Sequence, residues 1–131
     1  MGAFSNYLET ELLDHTLGEN SRSWASPGAL YVGLCTADPS DSAAAECDAG
    51  TYTRKAITFG AASGSSITSS TDVVTFPQAT GTSWGAIHGY ALFDASTAGN
   101  MLYYANLASD VTVAANDTVE FAGSAIVVTL D

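Results

Sequence analysis

The chain has 131 residues, a length that suits one domain with its own hydrophobic core. Apolar residues make up 47% of it and charged residues only 13%, which excludes a disordered protein and favours a small β-protein. The formal net charge is −11, with 3 Lys and Arg against 14 Asp and Glu, which excludes binding to nucleic acid or to an anionic membrane through a basic surface.

Neither an export signal nor a membrane span is evident in the sequence. No basic segment followed by an apolar one marks a secretory signal, and no apolar run approaches the roughly 18 residues that cross a bilayer. The negative charge favours solubility, and it also suits a partner with a basic face.

Residues 4–17 are predicted to form an N-terminal α-helix. Asn6 followed by Glu9 resembles a capping box, and Gly18 suits the left-handed residue that ends a helix. Four leucines recur near helical spacing and are interpreted as one apolar stripe: Leu8, Leu12, Leu13 and Leu17. We expect this stripe to cover an open edge of the sheets or to dock on a neighbouring subunit.

The first strand is predicted at residues 29–36, where the side chains alternate with a period of two. A long acidic loop, residues 37–50, follows without any hydrophobic pattern, which is typical of a functional or mobile segment. Arg54 and Lys55 lie together in the next predicted strand, 52–59. Shorter strands are predicted around residue 67 and at 72–76, 111–113, 118–121 and 125–130.

A hairpin is predicted at the centre of the chain. Two apolar, aromatic runs, residues 84–94 and 101–107, flank a small polar loop. The Asp94 carboxylate can bond the backbone to open the turn, and Gly99 can take a positive φ to close it. Both runs are too apolar for a solvated edge, so they are predicted to be central strands.

These elements predict a mainly β fold. Seven to nine short strands separated by turns are typical of an antiparallel β-sandwich or a jelly-roll-like fold, here with a short N-terminal α-helix. We expect a single domain overall, with residues 1–18 as the N-terminal helix and residues 19–131 as the β-sandwich domain.

No catalytic arrangement is evident. His15 and His88 are the two histidines, and no Gly-x-Ser-x-Gly motif in a strand–turn–helix context accompanies them. We interpret His88 as a structural residue within a strand and His15 as part of an exposed or interfacial helix face.

We expect no cofactor and no metal. Four carboxylates cluster in the acidic loop but do not follow the EF-hand pattern, and they are interpreted as solvated charges: Asp38, Asp41, Glu46 and Asp48. Cys35 lies in a strand-like run and Cys47 in a polar loop, and both are predicted to be unpaired thiols.

The aromatic and apolar residues near the N-terminus are the candidate protein-interaction residues. Trp84 begins an apolar strand and is predicted to lie in the core, whereas Trp24 lies in a loop and is predicted to lie near an interface. The residues predicted to contact a partner are Phe4, Tyr7, Leu8, Leu12 and Trp24.

Short motifs in a defined order along nearly the whole chain carry a resemblance to a known family. They are Phe4-Ser5-Asn6-Tyr7-Leu8-Glu9, Leu13-Asp14-His15, residues 29–34 with 36–39, Tyr52-Thr53-Arg54, Phe76-Pro77, Trp84-Gly85, Phe93-Asp94-Ala95, Gly99-Asn100-Met101-Leu102 and residues 127–131. In these motifs the chain resembles small virion structural proteins of tailed bacteriophages, usually labelled tail fibre proteins. It is also similar in size and character to capsid cement or decoration proteins. No catalytic residue is implied by either resemblance.

The resemblance implies a non-enzymatic virion protein assembled in the cytoplasm of a bacterial host. We expect a cement or decoration protein on the outer surface of the virion, which binds other copies of itself and the major capsid protein. The alternative is a tail or tail-fibre component with a receptor-binding role. A small hydrolase or sugar-binding domain is a third alternative from another class.

Overall fold

A computed structural model describes residues 3–17 and 28–130 of the chain. Within them lie one helix, α1 (Asn6–Leu17), and the following strands: β1 (Ala3–Phe4), β2 (Leu30–Cys35), β3 (Lys55–Ile57), β4 (Ser66–Thr68), β5 (Val74–Thr75), β6 (Gly85–Phe93), β7 (Met101–Val113), β8 (Glu120–Phe121) and β9 (Val127–Thr129). The prediction of a mainly β chain with a short N-terminal helix is confirmed. Gly18, predicted to end the helix, and Trp24, predicted to lie near an interface, are outside the described residues.

The strands form one antiparallel five-stranded sheet, in the order β1-β7-β6-β2-β3, and two antiparallel two-stranded ribbons, β4-β9 and β5-β8. Several predicted strands are shorter than expected; β3, for example, spans only Lys55–Ile57. Because the two ribbons do not join into a second continuous sheet, a sandwich or jelly roll stays a prediction. No helix in the described part of the chain is long and apolar enough to cross a membrane.

The predicted hairpin is confirmed: β6 lies between β7 and β2, and β7 is flanked on its other side by β1 only at Tyr103 and Tyr104. Gly99 adopts a φ of 70°. The Asp94 carboxylate accepts hydrogen bonds from the backbone N–H of Asn100 at 2.7 Å and from its side-chain amide at 2.8 Å. Local turn chemistry therefore sets this loop, as the sequence predicted.

The separate strand predicted at residues 111–113 is wrong, because β7 runs without a break to Val113. Gly89 pairs with Asn106 and Ile87 pairs with Val111, so an irregularity in β7 sets four residues opposite one residue of β6. A bulge of this kind lets a strand continue through polar residues that would otherwise mark its end. The polar residues around Asp110 led to the prediction of two separate strands in place of one.

The main core lies between one face of the large sheet and the two ribbons. Val32 and Leu34 of β2 pack there in one cluster with Trp84, Ile126 and Val128. A smaller cluster on the opposite face contains Cys35, Ala91 and Phe93. The alternation along β2 and residues 90–93 of β6 divides these two sets, as the period of two predicts. Ile87 lies beyond the register shift between Ile87 and Gly89, and it joins the main core.

The two cysteines lie in different clusters and are free thiols, as predicted. Cys47 lies in the polar loop, as predicted, but its side chain is buried in the main core. Burial disfavours a thiolate and, with Glu46 nearby, raises the pKa of Cys35 to about 12. Burial also raises the pKa of Cys47. Both cysteines are therefore small apolar core residues rather than reactive groups.

Trp84 is buried, which confirms its predicted place in the core. Its ring stands perpendicular to the ring of Tyr52, with 5.5 Å between the ring centroids. Within the described part of the chain its indole N–H has no hydrogen-bond acceptor. Trp84 therefore contributes through apolar contact and an edge-to-face aromatic pair.

Candidate docking surface

Ser5 joins the N-terminal helix to the sheet. It lies between β1 and α1, and its backbone N–H donates to the carbonyl of Leu102 at 2.9 Å. Its hydroxyl donates to the carbonyl of Met101 and accepts from the N–H of Leu8 at 3.3 Å. Ser5, rather than Asn6, is thus the N-cap, and the predicted helix start at Phe4 is wrong because Phe4 belongs to β1.

The acidic loop also holds the start of the helix. The backbone carbonyl of Asp41 accepts from the N–H of Asn6 at 3.2 Å, and its carboxylate accepts from the hydroxyl of Tyr104 on β7. That hydrogen bond stabilises the protonated phenol and raises the pKa of Tyr104. Asp41 is exposed, as a solvated charge would be, and it also connects loop, helix and sheet through these hydrogen bonds.

The four leucines of α1 do not form one stripe. At 3.6 residues per turn, five positions correspond to about 140° of rotation, so Leu13 faces away from Leu8 while Leu12 lies only about 40° from it. Leu8 is 4% exposed, whereas Leu13 is 59% and Leu17 is 80% exposed. The interpretation of one apolar stripe is thus wrong: the helix has an inner apolar face and an outer one.

Three residues of α1 define what we call the outer face of α1: Glu9, Leu13 and Leu17. Leu17 and Glu9 each lie four positions from Leu13, so the three side chains share one side of the helix. Its two leucines are exposed, and no described residue of the chain covers them. Because Ser5 and Asp41 fix the helix on the sheet, this face is held in a defined orientation.

Tyr7 sits in an acidic setting beside the hairpin tip. Partial burial and the negative charges of Glu11 and Asp94 raise its pKa. A cleft of about 280 Å³ opens next to it and is lined also by Asn6, Asp41 and Asn100. The surface around the helix start therefore combines an exposed aromatic ring with negative charge.

A buried ion pair holds the acidic loop against the sheet. Arg54 donates to both carboxylate oxygens of Glu46, at 2.8 and 2.7 Å, and to the carbonyls of Ala95 and Ala98 at the hairpin tip, each at 2.7 Å. The guanidinium lies 3.4 Å from the centre of the Phe93 ring. Such a bidentate pair, stacked on an aromatic ring, ties the acidic loop to the hairpin.

Tyr52, which precedes β3, also holds the Glu46 carboxylate. Its hydroxyl donates to Glu46 Oε1 at 2.8 Å and accepts from the N–H of Leu34 at 2.9 Å. Burial and the bond to Glu46 raise the pKa of Tyr52. A Cβ on Gly33 would lie 2.8 Å from the same carboxylate oxygen, so glycine leaves room for it. Glu46 is therefore not a solvated loop charge.

The histidines and carboxylates form no catalytic or metal-binding group in the described residues. His88 Nδ1 lies 3.0 Å from Asp110 Oδ2 beside the β7 bulge, and its structural role stays a prediction. No three His, Cys, Asp or Glu side chains of residues 3–17 and 28–130 converge as metal ligands. Asp38 and Asp48 are exposed in the acidic loop.

The structure places the predicted interaction residues in different settings. Phe4 packs edge-to-face on Tyr103, with 5.1 Å between the ring centroids, and Leu8 is buried. Tyr7 and Leu12 are partly exposed next to the helix, so they remain candidates for contact with a partner. Leu13 and Leu17 belong to the leucine stripe that was predicted to cover a sheet edge or to dock on a subunit, but they were not among the residues named individually as partner contacts.

The geometry is that of a small β-rich domain with an exposed apolar helix face. A family model described as podophage GP4 fiber I protein gp80 matches residues 3–129. The chain belongs to this family of podophage fibre proteins and is a phage structural protein. No curated protein sequence matches it. The resemblance to phage virion proteins labelled tail fibre is thus confirmed.

Proposed function

We propose that the protein is a non-enzymatic component of the phage fibre or tail, which attaches to another virion protein through the outer face of α1. The observation that carries the proposal is the exposure of Leu13 and Leu17 on a helix that Ser5 and Asp41 hold rigidly. Two exposed leucines on a fixed helix lose little conformational freedom on binding, which favours association. Tyr7, beside Asp94 of the hairpin, and Leu12 are also partly exposed on other sides of the helix.

Charge favours a different protein, rather than a second copy, as the partner. Of the few basic residues in the described part of the chain, Arg54 is fully engaged with Glu46, and Lys55 lies on β3 at the opposite edge of the sheet from β1. Two α1 helices docked on each other would bring Glu9 and its neighbouring carboxylates together without compensation. A basic, partly apolar partner surface avoids that repulsion.

The family match favours the fibre or tail over the capsid as the place of attachment. A cement or decoration protein on the outside of the capsid, bound to the major capsid protein, is the alternative expected from the sequence. Both functions use an exposed docking face, so they differ in the identity of the partner. Binding to purified tails and to DNA-free capsids separates them.

The arrangement of ionisable groups supports a non-enzymatic role. Hydrolysis of a glycosidic bond requires two carboxyl groups flanking one site. Two clefts in the described part of the chain, one beside Tyr7 and one beside β8, each have a single carboxylate in the lining, Asp41 in the first and Glu120 in the second, and no histidine. The hydrolase alternative therefore gains no support from them.

The test uses particles of the phage that encodes the chain, made without the native protein and supplied with purified variants. Leu13→Glu should reduce the bound protein at least about tenfold, because it removes the apolar contact of Leu13 and requires a charged group to be desolvated at the interface. Leu130→Glu is the matched control, since Leu130 is 46% exposed and far from α1 in the sequence, and it should bind normally. Mass spectrometry quantifies the bound chain, and circular dichroism shows that both variants fold. Equal binding by Leu13→Glu and the native protein would refute the proposal.

A further inference from the structure

An apolar cleft opens between the second half of β7 and β8, away from the half of β7 that α1 contacts. It has a volume of about 350 Å³ and is lined mainly by aliphatic and aromatic side chains: Leu34, Ile87, Leu107, Val111, Val119 and Phe121. Leu34 and Ile87 belong to the main core, so the cleft is an opening into that core. Water in an apolar opening of this size finds few hydrogen-bond partners, which favours filling by an apolar group.

A free strand edge borders the same cleft. β1 pairs with β7 only at Tyr103 and Tyr104, and no other described strand pairs with that side of β7. On the other side the pairing with β6 is interrupted between Asn106 and Val111. The backbone groups of β7 next to the cleft are thus available to an added strand, which gains affinity from main-chain hydrogen bonds and specificity from a side-chain pocket.

The charges at the rim decide between the possible occupants. Asp110 lies on the free part of β7, and Glu120 lines the cleft. A second copy that added its own β7 antiparallel would bring in the single carboxylate of residues 106–112, Asp110, and no basic side chain to pair with Glu120. The strong net negative charge of the chain also disfavours a second copy as the occupant, because two negatively charged chains repel each other. A segment with basic side chains has the complementary charge.

We propose that this cleft and the free edge of β7 bind one extended segment of another virion protein, which inserts a large apolar side chain and places a Lys or Arg near Glu120. The segment adds a strand beside residues 106–112, and its apolar side chain closes the opening over Leu34 and Ile87. This site is separate from the outer face of α1, so the protein has two docking surfaces and can connect two neighbours. The inference does not depend on which protein α1 binds.

Cross-linking identifies the occupant directly. Val111→Cys introduces an exposed thiol at the cleft, while Cys35 and Cys47 are buried. A thiol-attached photoreactive cross-linker, which does not require a lysine, should on intact particles join position 111 to a segment of alternating apolar residues in a different virion protein. Val127→Cys, at a valine with 41% exposure against 45% for Val111, is the control and should give no such product. A cross-link to a second copy of this chain, or no cross-link at position 111, would overturn the proposal.

Two pairs of variants test the energetics on the same particles. Val111→Asp should reduce the bound protein about tenfold or more, and Val127→Asp should change it little. Glu120→Gln should weaken binding several-fold and lower its salt dependence, whereas Asp72→Asn, at an exposed carboxylate outside the cleft, should not. Normal binding by both Val111→Asp and Glu120→Gln would contradict the proposal. If Val111→Asp does not fold, the comparison of Glu120→Gln with Asp72→Asn and the cross-linking experiment still test the proposal.

Discussion

Arg54 is the residue on which the acidic loop and the hairpin tip both depend. Its side chain is only 8% exposed, and it bonds Glu46, Ala95 and Ala98. Arg54→Ala leaves the Glu46 carboxylate and two carbonyls without their donor, so the free energy of unfolding should fall by about 3–5 kcal/mol. Urea denaturation measures this, with Lys55→Ala as the control. A loss within the error of the Lys55→Ala value would show that the ion pair is not needed for folding.

Cys35 makes stability depend on alkaline pH. Burial raises its pKa from an ordinary value near 9 to about 12, so the folded chain keeps a proton that the unfolded chain loses. The stabilisation is therefore fully present below pH 9 and is lost as the pH rises from 9 towards 12. The raised pKa of Tyr52 acts in the same direction at higher pH.

The measurement is the free energy of unfolding as a function of pH, for the native chain and for Cys35→Ala. We expect the native stability to fall by up to about 1.4 kcal/mol per pH unit for each group that titrates. Cys35→Ala should show a smaller slope above pH 9. Identical slopes for the two proteins would mean that the Cys35 thiol does not titrate differently in the folded and unfolded states.

At the scale of elements, the hairpin was predictable because local signals determine it. Alternating apolar residues, the Asp94 side chain and Gly99 all act within a few residues of the turn. The helix itself was predicted, but its two apolar faces were not, because Leu8 and Leu13, five residues apart, were assigned to one stripe. Its true N-cap, Ser5, depends on hydrogen bonds to β7, almost a hundred residues away.

Gly99 allows a direct test of the hairpin loop. It has a φ of 70°, and an added Cβ would lie 2.5 Å from Asp94 Oδ1. Gly64 has a similar φ of 61° but no atom within 4 Å of such a Cβ. Gly64→Ala should therefore cost about 1 kcal/mol of backbone strain, whereas Gly99→Ala should cost more, about 2–3 kcal/mol. Thermal or urea unfolding gives both values, and equal losses would exclude a role for the Asp94 contact.

At the scale of the whole molecule, the net charge predicts from the sequence alone that no basic surface binds nucleic acid, and this stays a prediction. The places where partners could dock required the structure. The Glu46–Arg54 pair, the bulge in β7 and the cleft beside β8 bring together residues from separate segments, and no local pattern indicates them. The predicted interaction residues near the N-terminus were close to the outer face of α1, yet the most exposed leucines lay outside that set.

The central claim is that α1 attaches this phage structural protein to a different virion protein. Cryo-electron microscopy of the intact particle, with the chain's density identified and its side chains assigned, tests this most directly. We predict density for the chain in the fibre or tail, with Leu13 and Leu17 buried against a basic, partly apolar surface of another protein. Density on the capsid would favour the decoration alternative, and an outer face of α1 that is exposed to solvent or packed on a second copy would contradict the account.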